Sequence, residues 1–266
     1  MKNSTIIGLI LGFVAVLGGM VLKGAKLSAL FNPAAFLIII LGTVAAVMIA
    51  FPMSELAKVG KLFKIATTEQ PLASREELIT RFMEWASITR REGLLALEAR
   101  VDEIEDSFLR NGMRMIIDGN DQDLVRDVLL EDIAATEERH KAGALIFTQA
   151  GTYAPTLGVL GAVVGLIAAL ADMSDMEHLA KSIAAAFVAT LLGIFTGYVL
   201  WHPLANKLKR KSKQEIQIRL MMLEGLLSIQ SGVSTIAINQ KLSVFLTPTE
   251  RKKMAEKEEG ADEQEA

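Results

Sequence analysis

The sequence predicts an all-α membrane protein, with four transmembrane helices, a large helical cytoplasmic loop and a cytoplasmic C-terminal helical region. Three observations predict it. The chain of 266 residues is 51% hydrophobic, with a mean hydropathy of +0.36, which is too apolar for an ordinary soluble domain. Its apolar residues gather in four uncharged blocks, each of about 20 residues, the length that crosses a hydrocarbon core of about 30 Å. The last block is followed directly by Lys207, Lys209, Arg210, Lys211 and Lys213, a basic cluster of the kind that stays on the cytoplasmic side.

The first span is expected at 4–22. Lys2 before an apolar run has the look of a signal peptide, but no A-x-A site precedes Lys23, so a retained helix is expected. The second span, 32–51, is opened by Asn32-Pro33 and closed by Pro52, because proline suits the first turn of a helix and blocks its continuation. The third (151–171) and fourth (182–202) are rich in Gly and Ala. In lipid every backbone polar group must be satisfied within the segment, so all four must be helices. The basic cluster fixes the fourth span's end inside, and an even number of crossings puts both termini in the cytoplasm. Lys23 and Lys26 then fall outside, against the trend.

The connector 53–150 is expected to be a cytoplasmic helical domain. Ser74-Arg-Glu-Glu77 reads as an N-cap with acids in the first turn, and Leu78, Phe82, Trp85 and Ile88 recur at helical spacing. A second helix is expected from 94 to 110, ending near Asn111-Gly112. A third is expected from 122 to 145, leading into the third span. The uncharged run 142–171 would extend about 45 Å as helix, more than the core thickness, so part of it stands in the cytoplasm or bends at Pro155. Beyond the basic cluster, 203–250 is expected to be helical with a break at Ser231-Gly232. The charged stretch 251–266 is expected to be disordered.

Several kinds of chemistry are excluded or disfavoured. The chain has no cysteine, so it holds no disulfide or thiolate metal site. Its three His, at 140, 178 and 202, are scattered, so no zinc site is expected. A net charge of -3 leaves no nucleic-acid footprint. No cofactor is implied.

None of the four spans carries Asp, Glu, Lys or Arg in its interior. A side-chain proton relay needs an ionisable group at membrane depth, and this chain offers only hydroxyls there, at Thr43, Thr190 and Thr196. Either the chain is structural or a partner brings the carboxylate. Gly158, Gly161, Ala162, Gly165 and Ala169 on the third span, and Ala185, Ala189, Gly193 and Gly197 on the fourth, form small-residue faces that admit close helix packing within the chain or against a partner. Thr190 lies near mid-depth of its span, where spacing alone favours a bond to its own i−4 carbonyl. Pro155, inside an apolar run, suits a hinge, while Pro203 reads more simply as helix termination. Arg90 and Glu98 would lie about 12 Å apart along one helix and about 80° apart around it. On spacing alone they read as a solvated face rather than a contact surface.

The segments RREGLLALE (90–98), GTYAPTLG (151–158), FVATLLG (187–193) and WHPLAN (201–206) make the chain resemble the MotA/TolQ/ExbB family, within its branch of flagellar stator A subunits. The resemblance covers the chain through about residue 245. It implies a non-enzymatic, ion-driven motor subunit of the bacterial cell membrane. Five such subunits would ring two MotB-type B subunits (A5B2). Each B subunit would supply an ion-carrying aspartate and a peptidoglycan anchor, and the cytoplasmic loop would push the rotor protein FliG. By the same resemblance Arg90 and Glu98 engage the rotor, and Pro155 and Pro203 are conformational prolines. Thr190 faces the ion path beside Ala162. Sodium-driven relatives tend to carry a threonine where Ala162 stands, and one fewer oxygen ligand disfavours sodium coordination, so proton coupling is expected. The alternatives are a sodium-driven stator and an ExbB/TolQ-type energy transducer. The transducer generally has three spans, and the extra first span here argues against it. A solute transporter lacks support, with no charged midplane site or inverted repeat.

Overall fold

The structure is a computed structural model that describes residues 4–68, 73–171 and 176–265, with side chains through 256. Among these residues every regular element is helical. Four helices are long and apolar enough to cross a membrane: α1 (Ser4–Leu22), α2 (Pro33–Ala50), α8 (Gln122–Ala171) and α9 (Met176–Gln230). The shorter helices are α3 (Met53–Leu56), α4 (Val59–Thr67), α5 (Arg75–Glu92), α6 (Glu98–Val101), α7 (Ser107–Ile117), α10 (Thr235–Ser243) and α11 (Pro248–Glu265). The chain divides into a span unit, Met1–Gln70 with Arg139–Arg210, and a second unit, Pro71–Glu138 with Lys211–Ala266.

In the span unit, the expected caps govern α2. The Asn32 side chain accepts from the Ala35 N–H, Pro33 occupies the first turn, and Phe51 turns extended before Pro52. The Asn32 amide also donates to the Ala185 carbonyl at 3.3 Å, tying the start of α2 to α9. Helix α1 runs antiparallel to α9. Lys207 donates to the Thr5 hydroxyl, a Cβ on Gly12 would meet Val199, and Phe13 packs edge-on to Phe195. The amphipathic α4 buries Ala66, with Leu62 and Ile65, against Ala144, Phe147, Leu204, Ala205 and Leu208. The connector expected as one domain, 53–150, is therefore split. Residues 53–68 and 139–150 belong with the spans, because the apolar face of α4 finds its partner there.

The second unit has a core of its own. Leu78, Phe82, Trp85 and Ile88 of α5 are buried as their spacing predicts, with Phe108, Leu109 and Met113 of α7, Val125 and Leu129 of α8, and Met221, Met222 and Leu226 of α9. The expected helix 94–110 is not formed. A 3₁₀ turn at Leu94–Leu97 leads to the short α6, and α7 starts only at Ser107. The Asp106 side chain caps α7 by accepting from the Leu109 N–H at 2.9 Å. Helix α7 also runs through Asn111-Gly112, where the expected helix was to stop. Gly112 is there for packing, since a Cβ would lie 2.4 Å from the Leu226 side chain. The stretch expected to be disordered lies mostly within α11. Thr247 and Glu250 form a reciprocal capping box, and the Lys, Glu and Ala that follow are strong helix formers.

Candidate functional site

The centre of the span unit is the antiparallel contact between α8 and α9, and it is made by glycine. A Cβ on Gly193 would stand 2.8 Å from both the Ala154 carbonyl oxygen and the Gly158 Cα. One on Gly158 would stand 2.9 Å from the Ala189 oxygen and the Gly193 Cα. Further out, Gly161 lies against Ala189 and Gly165 against Ala186. The small-residue faces are thus spent on each other within the chain, the simpler of the two readings the spacing allowed. Larger side chains turn away: Val163, Ile167, Leu170, Phe187 and Ile194 are exposed.

Pro155 lies within the continuous α8. It has no N–H, so the Gly151 carbonyl lacks its usual helical donor. Gly197 fills the space opposite, where a Cβ would sit 2.7 Å from the Pro155 ring and 2.8 Å from the Gly151 oxygen. A Cβ on Gly151 would in turn be 2.9 Å from the His202 ring. Pro155 and Pro203 therefore flank one level of the pair. The expectation that Pro203 ends a helix is corrected, because α9 passes through it and continues to Gln230. The reason is the π-helical turn at Thr196–Trp201 just before it. That wider turn makes room for a residue that cannot donate to the preceding turn. Helix α2 has a similar turn at Leu37–Leu41. Neither π turn has a signal in side-chain periodicity. The one hint is Pro203, which reads in the sequence as the end of the helix.

Thr190 and Ala162 come to one level, being the neighbours of Ala189 and Gly161, which touch. Both are half-buried. The Thr190 hydroxyl donates to the Ala186 carbonyl at 3.4 Å, so the local bond is present while the side chain stays accessible. Two further groups were not singled out as site residues from the sequence. Thr43 is 4% exposed, and its hydroxyl has no partner among the described residues, although its burial calls for one. On α8, Thr156, Thr152 and Thr148 donate in turn to Thr152, Thr148 and Ala144 carbonyls, each at 3.1 Å. The signal that could have found this hydroxyl stripe is Thr recurring every four residues.

Arg90 and Glu98 belong to the second unit, and the structure does not place them on one helix. Gly93, at φ +86°, ends α5 between them, a backbone state that favours glycine. Both residues are exposed, with Leu95 protruding beside them at 69% exposure. Leu97, fully buried, anchors the turn that carries them. Neither charge makes an ion pair among the described residues. No cluster of His, Asp or Glu among those residues could hold a metal ion.

These features define a membrane-helix subunit with an uncharged, hydroxyl-bearing helix pair and a second unit that carries exposed charges. The comparisons supply the family. The group described as the MotA/TolQ/ExbB proton channel family matches residues 100–221, and the Motility protein A N-terminal family matches 6–93. Motility protein A of Bacillus subtilis (strain 168) is 58% identical over 259 residues, 97% of this chain and 96% of that protein. The flagellar MotAB stator complex from Bacillus subtilis superposes with a TM-score of 0.89 at 58% identity, covering 94% of this chain and 99% of that one. The MotAB structure from C. jejuni gives 0.87 at 31% identity, covering 93% and 97%. The chain belongs to the MotA/TolQ/ExbB proton channel family.

Proposed function

We propose that this chain is the A subunit of a bacterial flagellar stator, coupling a flow of protons to rotation. The observation that carries the reading is the α8–α9 pair: long enough to cross, packed backbone to backbone, and without any Asp, Glu, Lys or Arg in the stretches 151–171 and 182–202. A channel wall of this kind conducts protons only beside another chain that supplies the titrating carboxylate. That chain is a MotB-type B subunit, anchored to peptidoglycan, with two copies enclosed by five A subunits. Thr190, beside Ala162, meets the carboxylate, and the Thr148–Thr152–Thr156 stripe lines the inner half of the path. Protonation removes the aspartate's charge and its need for hydroxyl donors. The facing wall then shifts about Pro155, where the helix already lacks one backbone bond and meets the π turn of α9. Arg90 and Glu98, exposed on the second unit, engage FliG.

Both termini lie in the cytoplasm. The basic cluster after the fourth span supports this orientation, as does the Lys207–Thr5 bond, which brings the N-terminal end of α1 to the same level. The N-terminal family match at 6–93 favours a stator over an energy transducer of the ExbB/TolQ type. Ala162 favours protons over sodium, because it removes an oxygen from the set that would replace sodium's hydration shell.

The test is swimming speed in a strain lacking its own stators and complemented with this chain and its B subunit. Speed should follow the proton gradient and ignore sodium replacement; tracking of sodium would overturn the coupling, and no swimming at all would overturn the stator reading. Reversing charge on the second unit, with Arg90→Glu and Glu98→Lys, should cut torque severely. Both sites are exposed surface, so stability should change by no more than about 0.5 kcal/mol. Unaltered torque in these variants rules out the rotor contact.

A further inference from the structure

We propose that α4, with the adjoining turn of α9, is a docking surface for the phosphate headgroups of anionic phospholipids. The assignment rests on the membrane orientation proposed above. The apolar side of α4 is committed, with Leu62 and Ala66 seated on Ala144, Phe147, Leu204 and Leu208. The seat fixes which side faces outward. Lys58, Lys61 and Lys64 are exposed there, and none makes an ion pair among the described residues. Glu55 is the single acid in residues 51–68. On α9, Leu208 lies in the same seat, and the next residues, Lys209 and Arg210, are exposed. Lys207 bonds to Thr5 at this level.

The belt sits where the uncharged stretches of α2 and α9 stop. Ile49 is 88% exposed and Met53 66%, a few residues before the lysines, and Phe63, between Lys61 and Lys64, is 42% exposed. Apolar side chains next to unpaired ammonium groups fit the boundary of a bilayer. The lysine stems lie along hydrocarbon while their heads reach phosphate. A soluble acidic protein would satisfy the lysines but leave Ile49 and Met53 uncovered. A bilayer containing anionic lipid satisfies both.

The test uses the assembled complex of this chain and its B subunit in phosphatidylcholine bilayers. Trace spin-labelled phosphatidylglycerol is compared with spin-labelled phosphatidylcholine. The wild type should prefer the anionic lipid by about fivefold for each lysine engaged. That preference should collapse at 1 M salt, where screening acts over about 3 Å. K58Q/K61Q/K64Q should cut the preference steeply, leaving only the part that Lys209 and Arg210 supply. K58R/K61R/K64R should keep it, and K252Q, a change in the second unit, should leave it unmoved. Equal preference in the triple Gln variant and the wild type overturns the proposal. So does a loss in K252Q matching that of the triple variant, or unchanged lipid preference with loss of a protein partner. Because the chain has no native cysteine, K61C labelled by an impermeant maleimide reports orientation separately. Labelling from the outer face sinks the orientation, and the spin-label ratio then still reports whether the surface holds anionic lipid.

Discussion

In the span unit the closest packing is backbone on backbone; in the second unit it is side chain on side chain. Gly158 and Gly193 bring two helices so near that neither tolerates a methyl group. Phe82, by contrast, fills the centre of a core of Leu, Ile, Met and Trp with no exposure at all. The span unit meets its surroundings through exposed Leu, Ile, Val and Phe, and the second unit through charges and ion pairs such as Arg219 with Glu215 at 3.1 Å and Arg114 with Asp102 at 3.1 Å. In lipid, burial of hydrocarbon supplies no drive for helices to associate, so close contact must supply it. In water, burial supplies it, and large side chains bury most. The two kinds of packing fail in different ways, and the predictions turn on that difference.

The largest effect is expected at the second unit's core. Phe82→Ala removes a fully buried ring and should cost about 3–5 kcal/mol. Limited proteolysis of the purified complex should show cleavage concentrated in 71–138 and 211–266, the segments of one unit, with the spans protected. Equal loss of protection in the spans would mean that the two packings are not independent.

The converse is Gly193→Val. Its added carbons meet backbone, the Ala154 oxygen and the Gly158 Cα at 2.8 Å, so nothing flexible can yield. The cost should reach or exceed the upper end of the usual overpacking range, about 3 kcal/mol, and appear as loss of assembled complex in membranes. Gly8→Ala, in the same unit but with nothing within 4 Å, should accumulate like the wild type. If both variants assemble equally well, backbone contact is not what holds the pair.

The same contrast explains what the sequence made legible. The spans, their caps at Asn32 and Pro52, and the core face of α5 rest on hydropathy, proline chemistry and 3.6-residue spacing, which are local. The pairing of Thr190 with Ala162 is expected from the family resemblance, and the contact of their neighbours Ala189 and Gly161 is what brings them to one level. The π turns did not show, because an extra residue in a turn costs no apolar position in a helix already apolar all round. Spacing places Arg90 and Glu98 along one helix, although a second helix is expected to begin at 94, directly after Gly93. Only its positive φ reveals the turn that separates them. Gly112 misled in the opposite direction. It looked like a stop, while its neighbour Leu226 lies 114 positions later in the chain, beyond the reach of any local pattern.

The smallest effect tests the polar surface of the second unit at one point, where α11 begins. Glu250 accepts from the Thr247 backbone at 2.7 Å and pairs with Arg75 at 3.3 Å. Burial works to raise its pKa, but the bonds to Thr247 and the Arg75 charge outweigh that and hold it below its ordinary value of 4.5. A carboxylate whose pKa is lower folded than unfolded contributes stability above the unfolded value and loses it as pH falls through the folded one. The attachment of α11 should therefore be intact at pH 6 and weaken below about 4.5, by no more than about 1 kcal/mol for a pair still partly open to water. Hydrogen exchange of the amides at 247–254 would report it. Glu250→Gln should loosen those amides at pH 6 by a similar amount and remove the acid-dependent step, while Phe82 and the spans stay protected. If the wild type and Glu250→Gln lose protection in parallel on acidification, the ionised Glu250 is not what holds α11, and the contact of Met254 with the core must hold it instead.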